Sequence, residues 1–283
     1  MLYYIFVFFY TIISFFLLLF FSLTMPRTVK QKGISSLKIY LSFYIINTLL
    51  LYFLLSVNHW IIIFINIFLY IGAHLLGIKL RVIGITGHRC SGRTEISMHL
   101  ERNFNCKVYN LEEMYFNVLS QAPQVKELKK KLNAEMVLNE ENNVDTFKLR
   151  KIVFLDQKEK KVLDNIAHKV VFRDLLSEIL REKIFFNTTH VFIDSYFLMK
   201  IPILKLICYP IISICCNNRE KLLQRIMAKD KCHLDTADNI LCQQLPTESF
   251  HNLTEYCIVN DGYLDAAKKK GDQIMEKIKE IKI

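Results

Sequence analysis

Residues 82–94 read VIGITGHRCSGRT, an apolar, β-branched segment that runs straight into a glycine loop. The pattern G-x-x-x-x-G-K-[ST], whose backbone N–H groups cradle phosphates, fits residues 87–94 at every fixed position except one. Arg93 stands where the lysine belongs. The chain has eight glycines, and three of them, Gly84, Gly87 and Gly92, fall here, so a chance turn is a poor account. A buried strand over 80–86 and a helix over 94–103 supply the strand–loop–helix setting that the motif requires. Gly87, His88, Arg89, Cys90, Ser91, Gly92, Arg93, Thr94 and Glu95 are therefore the candidate phosphate-binding residues for ATP. The helix N-terminus adds a favourable field, and the Thr94 hydroxyl is a candidate ligand for Mg2+. Arg93 keeps the positive charge but carries it on a planar fork, bulkier than an ammonium.

Further along, residues 106–109 predict a second strand and 191–194 a third. A fourth lies in 206–216, confined by Pro202 and Pro210, and 256–260 is a last short one. The stretch 112–186 carries helical periodicity, with Val162, Ile166, Val170, Leu175 and Ile179 near one face. Helices are expected over 218–228, 234–242 and 263–283, the last with Ala267, Ile274, Met275, Ile278 and Ile281 on its apolar side. Strands alternating with helices predict an α/β fold whose parallel sheet is covered on both faces.

Residues 1–78 are of another kind. They contain no Asp or Glu and four basic residues, whereas residues 79–283 carry 33 Lys and Arg against 27 Asp and Glu. The division predicts a hydrophobic membrane-anchor region over 1–78 and a second domain over 79–283. Apolar runs at 2–24, 39–57 and 60–78 each approach the ~20 residues of a membrane-crossing helix. A cleaved signal would want a basic start and a shorter apolar stretch. The positive-inside rule puts the basic loop 27–38 and the junction 79–81 in the cytoplasm. The expectation is a membrane-anchored chain with its second domain facing the cytoplasm and membrane lipid as a partner. Runs 39–57 and 60–78 would either span as a hairpin, turning at Asn58 and His59, or re-enter. The net charge of +10 suits anionic surfaces or phosphorylated ligands, but no lysine-rich arm with interleaved aromatics is present, so nucleic acid is not expected. The eight cysteines show no C-x-x-C spacing and read as reduced thiols.

Two carboxylates fall near the carboxyl edge of the expected sheet, where α/β folds present ligands. Asp194 ends the third strand, as a Mg2+-shell or hydroxyl-orienting group or else as a helix cap. Glu112 follows the second strand, where it is either a second functional carboxylate or a first-turn helix acid.

Together these stretches resemble the dephospho-CoA kinase family, over about residues 81–270. The family opens V-I-G-L-T-G-x-x-x-S-G-K-S, which VIGITGHRCSGRT follows as far as Ser91 and beyond. Its V-I-D-A-D is matched by KVYNLEE, with Asn110 at the first aspartate and Glu112 at the second, the family's catalytic base. VDTFKLRKIVF and NIAHK resemble its D-x-x-x-L-x-x-x-V-F and I-x-H-P runs, giving Asp145, Phe154 and His168, with Lys169 for the proline. IDSYFLMK keeps Asp194 and Leu198 of D-x-P-L-L-F-E. LLQRIMAKDKCHLDTADNILCQQLP resembles the family's L-x-R-L-x-x-R, lid helix and Q-x-P, placing Arg225 and Lys229 in the lid pair. YCIVNDG resembles V-I-x-N-x-G, near which the base sits, giving Asn260.

The resemblance implies a P-loop kinase fold that phosphorylates the ribose 3′-hydroxyl of dephospho-CoA from ATP with Mg2+. Glu112, Asp194 and Arg93 would be catalytic, Thr94 and Asp194 would hold the metal, and Arg225, Lys229 and Asn260 would join the loop in binding nucleotide. The sequence departs from the family at Arg93 and Lys229, and at Ile240 and Phe250, where an arginine and a lysine are expected. Phosphoryl transfer depends on cations that neutralise developing charge, so these departures predict a slow enzyme. A nucleotide- or CoA-binding protein without catalysis, a P-loop kinase of another acceptor, and a membrane protein whose α/β part docks partners are the competing readings.

Overall fold

The computed structural model describes residues 10, 12–20, 22, 42, 45, 60–132, 137–139, 144–145, 148–149, 152 and 157–280. The chain divides into two compact units. One comprises Met1–Val82 with Pro202–Tyr209 and Ile283, and the other Ile83–Ile201 with Pro210–Lys282.

In the first unit, helix α1 (Trp60–Lys79) covers the third apolar run. The expectation of a membrane-anchored chain with its kinase domain facing the cytoplasm is corrected here. Among the described residues no helix is long and apolar enough to cross a membrane, and nothing in them supports the expected lipid partner. Part of the apolar content goes instead into helix-to-helix packing. Leu18 and Ala73 are buried together, with Phe15 and Leu19 against them. A Cβ on Gly77 would overlap the Ser22 side chain, and the Ser22 hydroxyl donates to the His74 carbonyl at 3.2 Å. Composition alone does not distinguish such packing from a span. Most of the runs 2–24 and 39–57 lie outside the described residues.

The second unit is an α/β sheet structure. Strands β1 (Val82–Gly87), β2 (Cys106–Asn110), β3 (His190–Asp194), β4 (Cys208–Cys215) and β5 (Tyr256–Val259) form a sheet in the order β2-β3-β1-β4-β5. The pairs β1–β3, β2–β3 and β4–β5 are parallel. All six residues of central β1 are buried, as a strand covered on both faces must be. Helices α2 (Arg93–Asn103), α3 (Leu111–Leu119), α4 (Ala122–Lys131) and α5 (Gln157–Leu180) occupy the first half, and α5 runs into a π turn at Arg181–Phe185. The next α-helix in the chain after β3 is α6 (Pro202–Ile207), which belongs to the first unit, and after β4 the second unit continues with α7 (Arg219–Asp230), α8 (Leu234–Cys242), α9 (Thr247–Leu253) and α10 (Leu264–Glu280).

Two expectations shift. Pro202 starts a short helix rather than bounding a strand, and Pro210 lies inside β4. The periodic stretch 112–186 resolves into α3, α4 and α5 among its described residues. The register brings Ile85, Asn110 and Asp194 abreast, so β1, β2 and β3 end together at one sheet edge. That edge carries the site.

Candidate functional site

The glycine loop leaves β1 through Gly87, at φ 135°, where a Cβ would overlap the Ile214 carbonyl of β4. It enters α2 through Gly92, the N-cap, at φ 95°. A Cβ there would lie 2.5 Å from Asn260 Nδ2, the amide that donates to Ser91 O at 2.7 Å. Glycine is therefore required at both ends of the loop by backbone conformation and by close approach. Asn260 is itself fixed, because its N–H donates to Cys215 O at 2.8 Å just past β5.

The loop's other side chains face different ways. His88 turns inward, 3.0 Å from the Leu245 carbonyl and edge-on to Phe250. Burial pulls its pKa below the ordinary value, against that carbonyl and Glu248. The Arg89 N–H donates to Gln244 Oε1 at 2.7 Å, and its guanidinium grips Asp230 through two bonds of 2.9 and 2.6 Å. Arg93 is buried. Its Nη1 lies 3.0 Å from Asp194 Oδ1, its Nη2 3.6 Å from Glu112 Oε2, and its Cζ 5.7 Å from the Tyr196 ring centre. Burial opposes the arginine's charge, but Asp194 and Glu112 overcome it and hold its pKa above the ordinary value. Burial pushes the Asp194 carboxyl up to about 6 against the pull of Arg93, with Glu112 adding to the rise.

Glu112 sits in the first turn of α3, a helix capped by Asn110 Oδ1, which accepts from the Glu113 N–H at 3.1 Å. Its Oε1 accepts from the Tyr196 N–H at 2.8 Å and from the Ser195 hydroxyl at 3.2 Å. The carboxylate is thus oriented from the end of β3, with Oε2 left towards Arg93.

Several of these groups border a cavity of about 850 Å3. The loop and α2 contribute Arg89, Cys90, Gly92, Arg93, Thr94 and Glu95, and Glu112, Arg225, Lys229 and Asn260 close it from other elements. Arg225 Nη1 donates to Asn260 O at 3.2 Å. Of the residues expected from sequence, Gly87, His88, Ser91 and Asp194 do not border this cavity. Tyr196, Phe116 and Asn117 do, unforeseen. Tyr196 follows Asp194 by two positions, and the end of a strand at the sheet's carboxyl edge was the available signal. Ile240 and Phe250, where cations were expected, are core residues. Ile240 packs with Leu222 and Ile226, and Phe250 under His88.

Among the described residues no group of three or more His, Cys, Asp or Glu could hold a metal ion. Thr94 reaches the cavity, whereas the Asp194 side chain is 1% exposed and faces a guanidinium. The two expected Mg2+ ligands do not form a metal site as they stand.

A sequence model of a protein family, described as Dephospho-CoA kinase, matches residues 81–266. A dephospho-CoA kinase of Borreliella burgdorferi is 30% identical over 131 residues, 46% of this chain and 60% of that protein. One from Fusobacterium nucleatum is 27% identical over 207 residues, 71% of this chain and all of that protein. A crystal structure from Thermus thermophilus shares the fold, at a TM-score of 0.55 and 21% identity over 70% of this chain and 97% of that one.

Proposed function

The chain belongs to the dephospho-CoA kinase family, and we propose that it transfers the γ-phosphate of ATP to the ribose 3′-hydroxyl of dephospho-CoA, giving CoA and ADP. The observation that carries this reading is the convergence of the glycine loop and Glu112 on one cavity. We assign the catalytic part to residues 79–283. The fit to a nucleotide rests on a loop that only glycine allows at Gly87 and Gly92, and on Asn260 Oδ1, a buried acceptor with no hydrogen bond among the described residues. The backbone N–H groups at the start of α2, with Gly92, Arg93 and Thr94 bordering the cavity, hold the phosphates, while those of Arg89 and Ser91 donate within the protein. Arg225 and Lys229 of α7 face them across the cavity and screen the charge that builds on the transferred group.

Glu112 accepts the proton. Its Oε1 already takes two hydrogen bonds, so Oε2, 3.6 Å from Arg93 Nη2, is the oxygen left to receive the acceptor hydroxyl's hydrogen. The hydroxyl oxygen then bonds to the γ-phosphorus as the bond to the β-phosphate oxygen breaks, and ADP leaves with that electron pair. Magnesium bound with ATP supplies charge neutralisation in such reactions. Thr94 is the residue here that reaches the cavity for it, and no step above runs through Asp194.

The test is incubation of the purified full chain with ATP, Mg2+ and dephospho-CoA, with products resolved by mass. CoA and ADP in equal amounts are expected. ADP with no CoA points to another acceptor, and nucleotide binding without turnover to a binding protein; either overturns the proposed reaction.

A further inference from the structure

The guanidinium of Arg93, at the border of the cavity, already has two carboxylates beside it. Its side chain is 9% exposed and that of Asp194 1%, and Nη1 and Oδ1 lie 3.0 Å apart. Neither atom makes a hydrogen bond among the described residues, so their contact is Coulombic. The other arm of the fork, Nη2, lies 3.6 Å from Glu112 Oε2. One cation thus lies between two carboxylates, Glu112 in the first turn of α3 and Asp194 at the end of β3. A lysine ammonium is a single point on a flexible stem, whereas a guanidinium presents two nitrogens in a rigid plane, one to each acid. The root of the side chain is held as well. Ser97 Oγ donates to Arg93 O at 2.8 Å, and Gly92, just before it, abuts the Asn260 amide.

We propose that Arg93 is a positioning residue, the resident counter-cation of Asp194 and Glu112, and not a hook for the nucleotide's phosphates. The inference rests on the nucleotide-binding reading of the cavity. It accounts for an arginine at a position where the motif has lysine, and for the absence of a metal fit at Asp194. Asp194 is served by the protein's own cation, and Glu112 is aimed by it.

The test uses the full chain and four proteins: wild type, Arg93→Met, Asp194→Asn and the double variant. Thermal unfolding reads the pairing. Each single change strands a buried charge and should lower Tm by about 6–20 °C, while the double change, which removes the charges together, should recover most of the loss. Binding of a non-hydrolysable ATP analogue and of AMP, each with Mg2+, reads the phosphate role. The ratio of the two affinities should stay within about threefold of wild type in Arg93→Met. If that variant does not fold, the double variant carries the same measurement.

A selective loss of about tenfold or more for the triphosphate overturns the proposal, because a hook has then been removed. Absence of thermal recovery in the double variant, or its failure to fold, overturns it too. If wild type binds neither nucleotide, the nucleotide reading fails, and the thermal cycle alone decides the pairing.

Discussion

Glu112 is a carboxylate whose two oxygens have different work. Glutamine keeps a carbonyl oxygen for the Tyr196 N–H and the Ser195 hydroxyl but cannot take a proton. Glu112→Gln should therefore lower the rate of CoA formation by roughly 10²–10⁴-fold, the range for general acid–base catalysis, with ATP affinity nearly unchanged. Steady-state rates with a parallel nucleotide titration check this, and an undiminished rate would remove Glu112 as the base. A second prediction at this scale concerns the thiols. The Cys215 thiol hydrogen-bonds Cys257, and burial works against it, but with Ser213, His251 and Lys270 the balance lowers the Cys257 pKa to about 6. Burial pushes Cys106 the other way, to about 12. A thiolate is the nucleophile, and Cys257 is half-buried. Iodoacetamide at pH 7 should label Cys257 well before Cys106, with a rate that rises through about pH 6 and then levels. Peptide mapping by mass spectrometry reads the order, and equal labelling of the two would contradict it.

At the scale of elements, glycines separate a required conformation from a mere vacancy. Gly87 has φ 135° and its Cβ would overlap the β4 backbone. Gly271 lies inside α10, where a Cβ would make ordinary contacts at 3.5 Å with Ile96 and Leu100 of α2. Gly271→Ala should stabilise by up to about 1 kcal/mol, through helix propensity and added burial, whereas Gly87→Ala should destabilise by several times that amount. Chemical unfolding of both variants measures the contrast, and a destabilised Gly271→Ala would mean that α10 and α2 cannot yield even tenths of an ångström. Periodicity located most of these elements. It found α8 at Leu234–Cys242 and the apolar side of α10, because an amphipathic face writes its own spacing. It missed α9 and misread Pro202, since short helices carry too few turns to show a period, and Pro at the first turn of a helix resembles a break.

For the molecule as a whole, a ligand that binds only the folded state raises its stability by mass action. An ATP analogue at about 100 times its dissociation constant should add roughly 2.7 kcal/mol, or ~5–11 °C in Tm, with AMP adding less at the same concentration. A scanning fluorescence melt tests it, and no shift at such a concentration of analogue would mean that the folded chain does not bind it.

What the sequence settled by itself is local. Gly87, Gly92 and Thr94 announced the loop, because a phosphate cradle needs fixed spacing within a single turn of chain. The alternation of β-branched runs with amphipathic stretches announced the sheet. Only the tertiary structure decided which way Arg93 points, since its partners Glu112 and Asp194 stand 19 and 101 positions further along and meet it through the register of β2 and β3. The same holds for Ile240 and Phe250, whose places in the core depend on packing that no window of sequence contains. It holds too for Leu18 and Ala73, two residues of apolar runs whose burial together no composition could show.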